Sequence, residues 1–366
     1  MRQNLLNQIL DLTQSHWDHD SANSEARAVF RKALQCGTPA LGAEIFQSEN
    51  EEKIVYHTCK SRACTSCGYR GTVQWQRERW CAMPDVPYSE VTFTMPDTLW
   101  DFFQHNPRLT HALPALASCA IEGYVRRRYG LSIGVIALPQ TFNGRLDFNP
   151  HVHTMVTAGG LHRASTKWAR QIDFDRDDIM RRWQRNIIRL LREASRRGQL
   201  STELKACQVE DILRMDERRH WHVHVKAFGD KTHFLKYAGR YVRRPPIAQR
   251  RIKSVRDGMV QFEYKNKKAK SVEIVTCTLK EFVSRWAKHI PERYSHLVRH
   301  FGLFAPRAVA QLSAAVFTLL GQQKRPRPGR VSWTWSIWTD FGWNPLLDRN
   351  GQRMTWTGRR APALAS

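Results

Sequence analysis

The segment NPHVHTMV at residues 149–156 predicts a β-strand, and its place in the fold governs how the rest of the chain is interpreted. Successive side chains of a strand point to opposite faces, so His151 and His153 share one face and Val152 lies on the other. Two imidazoles on one strand supply half of a divalent-metal site, and a third ligand must come from elsewhere in the chain. The alternative is a pair of polar residues on a half-exposed strand.

Other strands are predicted on both sides of this segment. SEVTFTM at residues 89–95 alternates with a period of two, which is typical of a strand. Residues 133–138 and 220–227 predict two more strands. Residues 259–264 and 272–276 predict a hairpin joined by a charged turn.

Helices are predicted between the strands. Residues 97–129 predict helices broken near Pro107 and Pro114. Residues 177–197 predict a helix that opens with acidic residues and ends before Gly198. Strands separated by helices, with some strands joined as hairpins, indicate an α+β or mixed α/β protein.

Composition and charge point to a polyanionic partner. The 366 residues carry 58 Lys and Arg against 33 Asp and Glu, a formal net charge of +25. The 16 Phe and 13 Trp exclude a chain that is disordered throughout. No apolar run approaches the ~20 residues of a membrane span, and the first 16 residues lack a secretory-signal pattern. We therefore expect a cytoplasmic protein with nucleic acid as its partner and no membrane contact.

A second His-x-His pattern occurs at His222 and His224, on a predicted strand that continues to Lys226. Taken alone, this pair and the pair at His151 and His153 are nearly indistinguishable. Only their context in the chain can separate them.

A pair of tyrosines, Tyr237 and Tyr241, lies one turn apart on one face of a predicted basic helix over residues 233–243. A tyrosine hydroxyl has an ordinary pKa near ~10, so a nucleophilic role requires a metal-polarised target or nearby cations. The alternative is that the two rings belong to a hydrophobic core. Cations are abundant beside the pair: Lys236, Arg240, Arg243 and Arg244.

The cysteines are concentrated near the N-terminus. Cys64 and Cys67 form a Cys-x2-Cys pair, whose short turn brings both thiolates to one tetrahedral ion. Cys36, Cys59 and His57 are the other candidate ligands. The cluster predicts a small zinc-held module up to about residue 85, and the alternative is a set of buried thiols.

In their order along the chain, these features resemble the two-tyrosine HUH transposases of bacterial rolling-circle insertion sequences. Five stretches carry the resemblance: YHTCKSRACTSCG (56–68), VPYSEVTFTMPDTLW (86–100), TFNGRLDFNPHVHTMVTAGG (141–160), KYAGRYVRRPPI (236–247) and FVSRWAKHIPERYSHLVRHFGLF (282–304). They are similar to the family's zinc-binding segment, the start of its transposase domain, its metal-binding strand, its nucleophile helix and the segment after that helix.

The resemblance implies an α+β, HUH-endonuclease-like fold with a central antiparallel sheet flanked by helices and preceded by a small zinc-binding module. It implies three regions: a zinc- and DNA-binding module at residues 1–85, a catalytic domain at 86–305, and a basic, Trp-rich tail at 306–366. The part after Gln322 is rich in Arg, Pro, Gly and Trp, and we expect it to be a poorly packed appendage.

The resemblance also implies an activity. A tyrosine, Tyr237 or Tyr241, cleaves single-stranded DNA at an element end, keeps a 5′-phosphotyrosine and frees a 3′-OH. The expected cofactors are a catalytic Mg²⁺ or Mn²⁺ and a structural Zn²⁺. The protein is expected to associate with the bacterial nucleoid.

The resemblance assigns roles residue by residue. The catalytic cation belongs to His151 and His153, with Gln140, Asp147 and His233 as candidates for the third ligand. His222 and His224 fall where the family has an ordinary strand. The structural zinc ligands are Cys36, Cys59, Cys64 and Cys67, with His57 in reserve. The expected DNA contacts are Arg126, Arg127, Arg128, Lys226, Lys236, Arg240, Arg243 and Arg244.

The chain departs from the family pattern at FQSENEE (46–52) and PLLDRNGQRM (345–354), where members often carry further Cys-x2-Cys pairs. Two other functions remain open. A non-catalytic zinc-containing DNA-binding protein, such as a degenerate transposase copy, gives no reason for the His and Tyr pairs to occur together. A rolling-circle replication initiator or relaxase shares the chemistry, but the N-terminal cysteine module favours the transposase.

Overall fold

The structure is a computed structural model that describes residues 5–18, 24–61, 64, 67–163, 166–242, 245–266, 269–293 and 295–363. In these ranges the helices are α1 (Leu5–Leu12), α2 (Gln14–Asp18), α3 (Ser24–Leu34), α4 (Gly68–Ala82), α5 (Trp100–His105), α6 (Pro107–Tyr129), α7 (Arg176–Arg196), α8 (Ala206–Arg218), α9 (Lys231–Ala238), α10 (Leu279–Ala287), α11 (Pro306–Leu319) and α12 (Trp333–Phe341). The strands are β1 (Ala43–Gln47), β2 (Glu52–Tyr56), β3 (Tyr88–Phe93), β4 (Leu131–Ser132), β5 (Gly134–Phe142), β6 (Phe148–Thr157), β7 (Gly160–His162), β8 (Trp168–Ala169), β9 (Val223–Phe228), β10 (Ile252–Arg256), β11 (Met259–Asn266), β12 (Ser271–Thr278), β13 (Arg299–Gly302) and β14 (Thr355–Arg360).

A five-stranded sheet forms the centre of the fold. Its strand order is β13-β5-β6-β3-β9, and every neighbouring pair is antiparallel. β6, the strand that carries His151 and His153, is the middle strand. The predicted α+β class with a central antiparallel sheet is confirmed. The predicted hairpin is also confirmed, as β11 and β12.

Helices α6 and α7 cover one face of the central sheet. Val91, Phe93 and Val152 point to this face and pack against both helices. Trp183 of α7 lies 5.0 Å from Phe93 between ring centroids. The predicted helix over 177–197 is confirmed as α7. Its start is capped by the Asp175 carboxylate, which accepts hydrogen bonds from the first backbone N–H groups of the helix.

Helices α4 and α9 pack against the opposite face. Tyr88 of β3 stacks on Phe234 of α9 with ring centroids 4.7 Å apart. Met155 of β6 and Trp75 of α4 belong to the same buried cluster. Because side chains alternate along a strand, the residues that share this face with Tyr88 and Met155 include His151 and His153.

The two ends of the chain pack against other parts of the molecule. Phe30 of α3 lies 4.8 Å from Trp286 of α10 between ring centroids, inside a core that α1, α3 and the β10-β11-β12 sheet share. Strand β14 pairs antiparallel with β1. The expectation of a poorly packed tail is therefore wrong for β14, whose backbone groups find partners on an exposed sheet edge. The boundaries at residues 85 and 305 stay predictions.

Two further observations complete the description. Pro114 lies inside α6, so the predicted break is present at Pro107 alone, where proline starts the helix. Among the described ranges, no helix has both the length and the apolar composition that a transmembrane span requires.

Candidate active site and metal centre

The two histidines of β6 are oriented by hydrogen bonds at the same ring nitrogen. Nδ1 of His151 lies 2.7 Å from the Asn149 carbonyl oxygen, and Nδ1 of His153 lies 2.8 Å from a carboxylate oxygen of Glu90. The two rings are 5.0 Å apart between centroids. Metal-binding histidines characteristically donate one ring N–H to a carbonyl or carboxylate, which directs the other nitrogen to the ion. In both histidines, therefore, Nδ1 is the ring nitrogen held by a carbonyl or carboxylate oxygen.

Glu90, which the sequence did not single out, lies in contact with His153. It lies on β3, the strand next to the histidines, and its side chain is 2% exposed. One carboxylate oxygen accepts the hydrogen bond from His153, while Oε2 is buried and has no hydrogen-bond partner. Burying a carboxylate oxygen without a hydrogen-bond partner costs folding free energy. Its phase in SEVTFTM puts Glu90 on the polar face with Thr92, and only the packing of the second layer of helices makes that face buried.

The tyrosine pair lies directly over the histidines. The ring of Tyr241 stacks on the ring of His153, with centroids 3.7 Å apart and planes inclined by 22°. The Tyr241 hydroxyl donates to the Tyr237 hydroxyl oxygen at 2.8 Å. The structure thus brings together two side-chain pairs that are about 85 residues apart in the chain.

The helix that carries the tyrosines is shorter than predicted. α9 ends at Ala238 instead of Arg243, and tight turns from Arg240 N–H to the Tyr237 carbonyl and from Tyr241 N–H to the Ala238 carbonyl follow it. Tyr237 is in the last turn of the helix and Tyr241 is in the turn after it. The two rings are nevertheless neighbours, 5.4 Å apart between centroids.

The site disfavours a tyrosine phenolate when no ligand is bound. The pKa of Tyr237 is raised well above its ordinary value by burial, then by the hydrogen bond with Tyr241 and by the neighbouring Glu90 carboxylate. Two cations lie over the Tyr237 ring. Lys226 Nζ lies 4.3 Å and the Arg240 guanidinium 5.2 Å from the centre of the Tyr237 ring. An anion entering the site meets these cations beside the hydroxyl pair.

The other predicted DNA contacts that the structure describes lie on different sides of the central sheet. Lys236 is exposed on α9, beside the tyrosines. Arg126, Arg127 and Arg128 are exposed in the last turn of α6, on the opposite side of the central sheet. The structure does not bring those three to the histidine face. Arg243 and Arg244 lie outside the described residues.

Of the three candidates for a third cation ligand, the structure places one beside the histidines. Gln140 of β5 is the cross-strand partner of His151. Asp147 forms an ion pair with Arg285 at 3.2 Å, near the β5-β6 turn. His233 pairs with Asp230 at the exposed start of α9. Asp147 and His233 are therefore paired with other residues, away from His151 and His153.

The second histidine pair lies on the same face of the sheet, at its edge. Thr92 of β3 is the cross-strand partner of both His153 and His224. Because neighbouring strands are about 4.8 Å apart, His224 is roughly 10 Å from His153 across the sheet. His222 and His224 are both exposed. This pair therefore lies at the sheet edge, about two strand spacings from His151 and His153.

Four cysteines form a compact cluster near the start of α4. Sγ of Cys36 lies 3.4 Å from that of Cys67 and 3.7 Å from that of Cys64, and Sγ of Cys59 lies 3.6 Å from that of Cys67. A tetrahedral zinc ion with Zn–S bonds of about 2.3 Å requires sulfur separations near 3.8 Å. Among the described residues, these cysteines are the one group of three or more His, Cys, Asp or Glu that is this close.

The reserve ligand His57 is engaged elsewhere. Its Nδ1 lies 3.0 Å from the Leu41 carbonyl oxygen and its Nε2 lies 2.9 Å from a Glu44 carboxylate oxygen. Since the four thiols already complete a tetrahedral set, the cluster requires no fifth residue.

The two segments that lack the family's additional cysteine pairs meet each other in the structure. The Ser48 hydroxyl donates to the Asp348 carboxylate at 2.8 Å, and the Asn50 amide donates to the Gln352 side-chain oxygen at 2.9 Å. The backbone N–H of Arg349 donates to Glu51. Hydrogen bonds therefore join these two segments directly.

Two family models match the chain. One is described as "Putative transposase" and matches residues 134–311, and the other, "Transposase zinc-binding domain", matches residues 6–95. All four clustered cysteines lie within the second match, which supports zinc as their metal.

The chain also resembles curated transposases. It is 33% identical over 315 residues to the transposase for insertion sequence element IS801 of Pseudomonas savastanoi pv. phaseolicola, across 81% of this chain and 74% of that protein. It is 26% identical over 319 residues to the putative transposase y4qJ of Sinorhizobium fredii, across 83% of this chain and 80% of that protein. No solved structure matches the chain significantly.

Proposed function

The chain belongs to the family of insertion-sequence transposases that includes the IS801 transposase, and on this premise we propose that it nicks and rejoins single-stranded DNA through a 5′-phosphotyrosine. The observation that carries the proposal is the stacking of Tyr241 on His153 at 3.7 Å, with Tyr237 in hydrogen-bond contact with Tyr241. A core position would explain two packed phenols. It would not explain their contact with a histidine pair oriented for metal binding.

The cation site of this proposal consists of His151, His153 and the side-chain oxygen of Gln140. The supporting observations are the two Nδ1 hydrogen bonds and the cross-strand position of Gln140. These three groups would hold a Mg²⁺ or Mn²⁺ ion, which would supply Lewis-acid polarisation of the scissile phosphate. The proposed structural Zn²⁺ ligands are the four cysteines of the cluster, at positions 36, 59, 64 and 67.

The protein's own groups carry the covalent step. The phenol oxygen of Tyr237 or Tyr241 forms a bond to phosphorus, the bond from phosphorus to the 3′ oxygen breaks, and that oxygen takes a proton. The Tyr241 hydroxyl proton points at Tyr237. The attacking tyrosine releases its proton to solvent and the 3′ oxygen takes one from solvent, so the step balances without a change of protonation at Glu90. The ester retains the bond energy, so rejoining the strand needs no ATP.

A path for the DNA strand runs from the tyrosines to the edge of the sheet. Lys226 contacts the Tyr237 ring, and the exposed His222 and His224 precede it on the same face. Cations interleaved with aromatic rings suit single-stranded nucleic acid, whose bases are available for stacking. Element ends in the cytoplasm, at the nucleoid, are the substrate in this proposal, with Arg126, Arg127 and Arg128 as contacts for DNA beyond the site.

The test is incubation of the full chain with a labelled single-stranded oligonucleotide and Mn²⁺, followed by a denaturing gel. A covalent band is expected from the wild type, and the double variant Tyr237→Phe with Tyr241→Phe should lose it while DNA binding is retained. A wild-type protein that binds DNA but never forms the band would indicate the non-catalytic alternative.

The second histidine pair supplies a matched control for the cation site. His151→Ala should abolish metal-dependent nicking, because it removes a ligand. His222→Ala should weaken DNA binding modestly and leave the covalent step at saturating DNA nearly unchanged. The reverse result would show that the cation belongs to the other pair.

A further inference from the structure

Helix α4 connects the cysteine cluster to the tyrosine pair. It begins at Gly68, directly after the clustered Cys67, and runs to Ala82. Further along its length α4 packs against α9. Trp75 of α4 belongs to the core that contains Phe234 and Leu235 of α9. One rigid helix therefore contacts both sites.

Two side chains of α4 hold the C-terminal end of α9. The Gln76 amide donates to the Leu235 carbonyl oxygen at 2.9 Å, and the buried Thr72 hydroxyl donates to the Val242 carbonyl oxygen at 2.9 Å. The Leu235 carbonyl also accepts from the Gly239 backbone N–H, so Gln76 adds a second hydrogen bond there, and Thr72 bonds the segment that follows the helix. Leu235 and Val242 flank the two tyrosines in sequence.

At Gly239, directly after α9, a larger side chain would displace the Gln76 amide from its position. A Cβ added at Gly239 would lie 2.3 Å from Gln76 Nε2 and 3.2 Å from the Thr72 methyl carbon. Glycine between the tyrosines thus permits α4 to approach the backbone there.

The region at the other end of α4 holds the start of α9. The Lys231 ammonium donates to the carbonyl oxygens of Trp80 and Met83 and pairs with Asp85 at 2.6 Å. Lys231 is 4% exposed, and burial lowers its pKa despite the Asp85 carboxylate. α9 has eight residues, which is too short to be stable alone in water, so its geometry depends on such contacts.

We propose that α4 is the positioning element of the tyrosine pair, with Thr72 and Gln76 as positioning residues, and that zinc binding at the cysteine cluster orders the start of this element. The zinc-binding module then supports the covalent step through α4, in addition to any contact with DNA. This inference rests on the proposed function in one respect, namely that Tyr237 and Tyr241 are the nucleophiles.

The first experiment measures order at the tyrosines without DNA. Hydrogen–deuterium exchange of the amides of residues 235–242 is compared in the zinc-loaded full chain and in four variants. Thr72→Val and Gln76→Ala should accelerate exchange about three- to tenfold, the effect expected from loss of one hydrogen bond. Thr72→Ser keeps the hydroxyl and should restore wild-type exchange. Gln74→Ala is the matched control, because Gln74 bonds Val331 and Glu78 and not α9.

The second experiment separates positioning from binding. Thr72→Val and Gln76→Ala should slow adduct formation at saturating DNA, while the dissociation constant for DNA stays within about twofold of the wild type. Removal of zinc with a chelator should raise exchange at residues 235–242 as well as at the cysteines.

Three results would overturn the inference: unchanged exchange in Thr72→Val and Gln76→Ala, an equal effect in Gln74→Ala, or zinc removal that affects the cysteine region alone. If the wild type forms no adduct, the proposed function fails, whereas the exchange measurements still decide whether α4 positions the tyrosines.

Discussion

Replacing Glu90 by Gln tests the chemistry of the site, because it keeps the shape of the side chain and removes its charge. The carboxylate lies 2.8 Å from His153 Nδ1, and the side chains of Glu90 and His153 are 2% and 8% exposed, so solvent screens the interaction little. Loss of the group that orients a metal-binding histidine typically costs 10- to 100-fold in metal affinity or activity. We therefore expect the Mn²⁺ concentration for half-maximal adduct formation to rise by about 10- to 100-fold, or about 1.4–2.7 kcal/mol.

The same substitution should displace the pH profile in a defined direction. In the wild type the pKa of Tyr237 is raised, first by burial and then by the Tyr241 hydrogen bond and the Glu90 carboxylate. Removing the negative charge lowers that pKa towards its ordinary value, so a given fraction of phenolate appears at lower pH. The rising alkaline limb of adduct formation should therefore move to lower pH in Glu90→Gln.

The assay is single-turnover adduct formation at several Mn²⁺ concentrations and pH values. Thr92→Val is the control, since the Thr92 hydroxyl contacts the same His153 nitrogen at 3.3 Å but carries no charge. Its Mn²⁺ midpoint should change by less than about threefold. A wild-type midpoint in Glu90→Gln, or a pH profile displaced to higher pH, would refute the assignment of Glu90.

Two further predictions concern stability. Elemental analysis should find one zinc per chain, and Cys64→Ser should lose it and lower the melting temperature, since structural zinc contributes about 10–16 kcal/mol in zinc-finger peptides; two zinc ions per chain, or an unchanged melting curve, would contradict this. Burial lowers the pKa of His289 from 6.5 to about 4. Between these pH values the unfolded chain binds a proton at this histidine and the folded chain does not. Stability should therefore fall by about 3 kcal/mol between pH 6.5 and 4, and urea titrations of His289→Gln should show that much less pH dependence; an equal slope in the variant would count against it.

Elements with a strong local pattern were predictable from the sequence. β3 followed from the period-two alternation of SEVTFTM, and α7 followed from its acidic start and from Gly198 after its end. The wrong expectations have local causes too. Pro114 suggested a break, but tertiary packing on both sides of α6 keeps it within the helix. α9 is shorter than the spacing of its tyrosines suggested.

The candidate site was only partly predictable. The residue types and short spacings of His151 with His153, and of Tyr237 with Tyr241, are properties of the local sequence. Glu90 escaped notice because its relation to His153 depends on the pairing of β3 with β6, 63 residues away. His224 was separated from the site by family resemblance, yet strand order places it on the same face.

The sequence by itself determined the strand and helix periodicities, the excess of positive charge, and the candidate ligands and nucleophiles at short spacing. All of these depend on residue types and on residues close together in the chain. Only the tertiary structure decided that Tyr241 stacks on His153, that α4 joins the cysteine cluster to α9, and that β14 completes the sheet of β1. Those contacts join residues far apart in the chain. They follow from strand order, register and helix packing, which are set by the burial of whole faces and by the pairing of backbone groups.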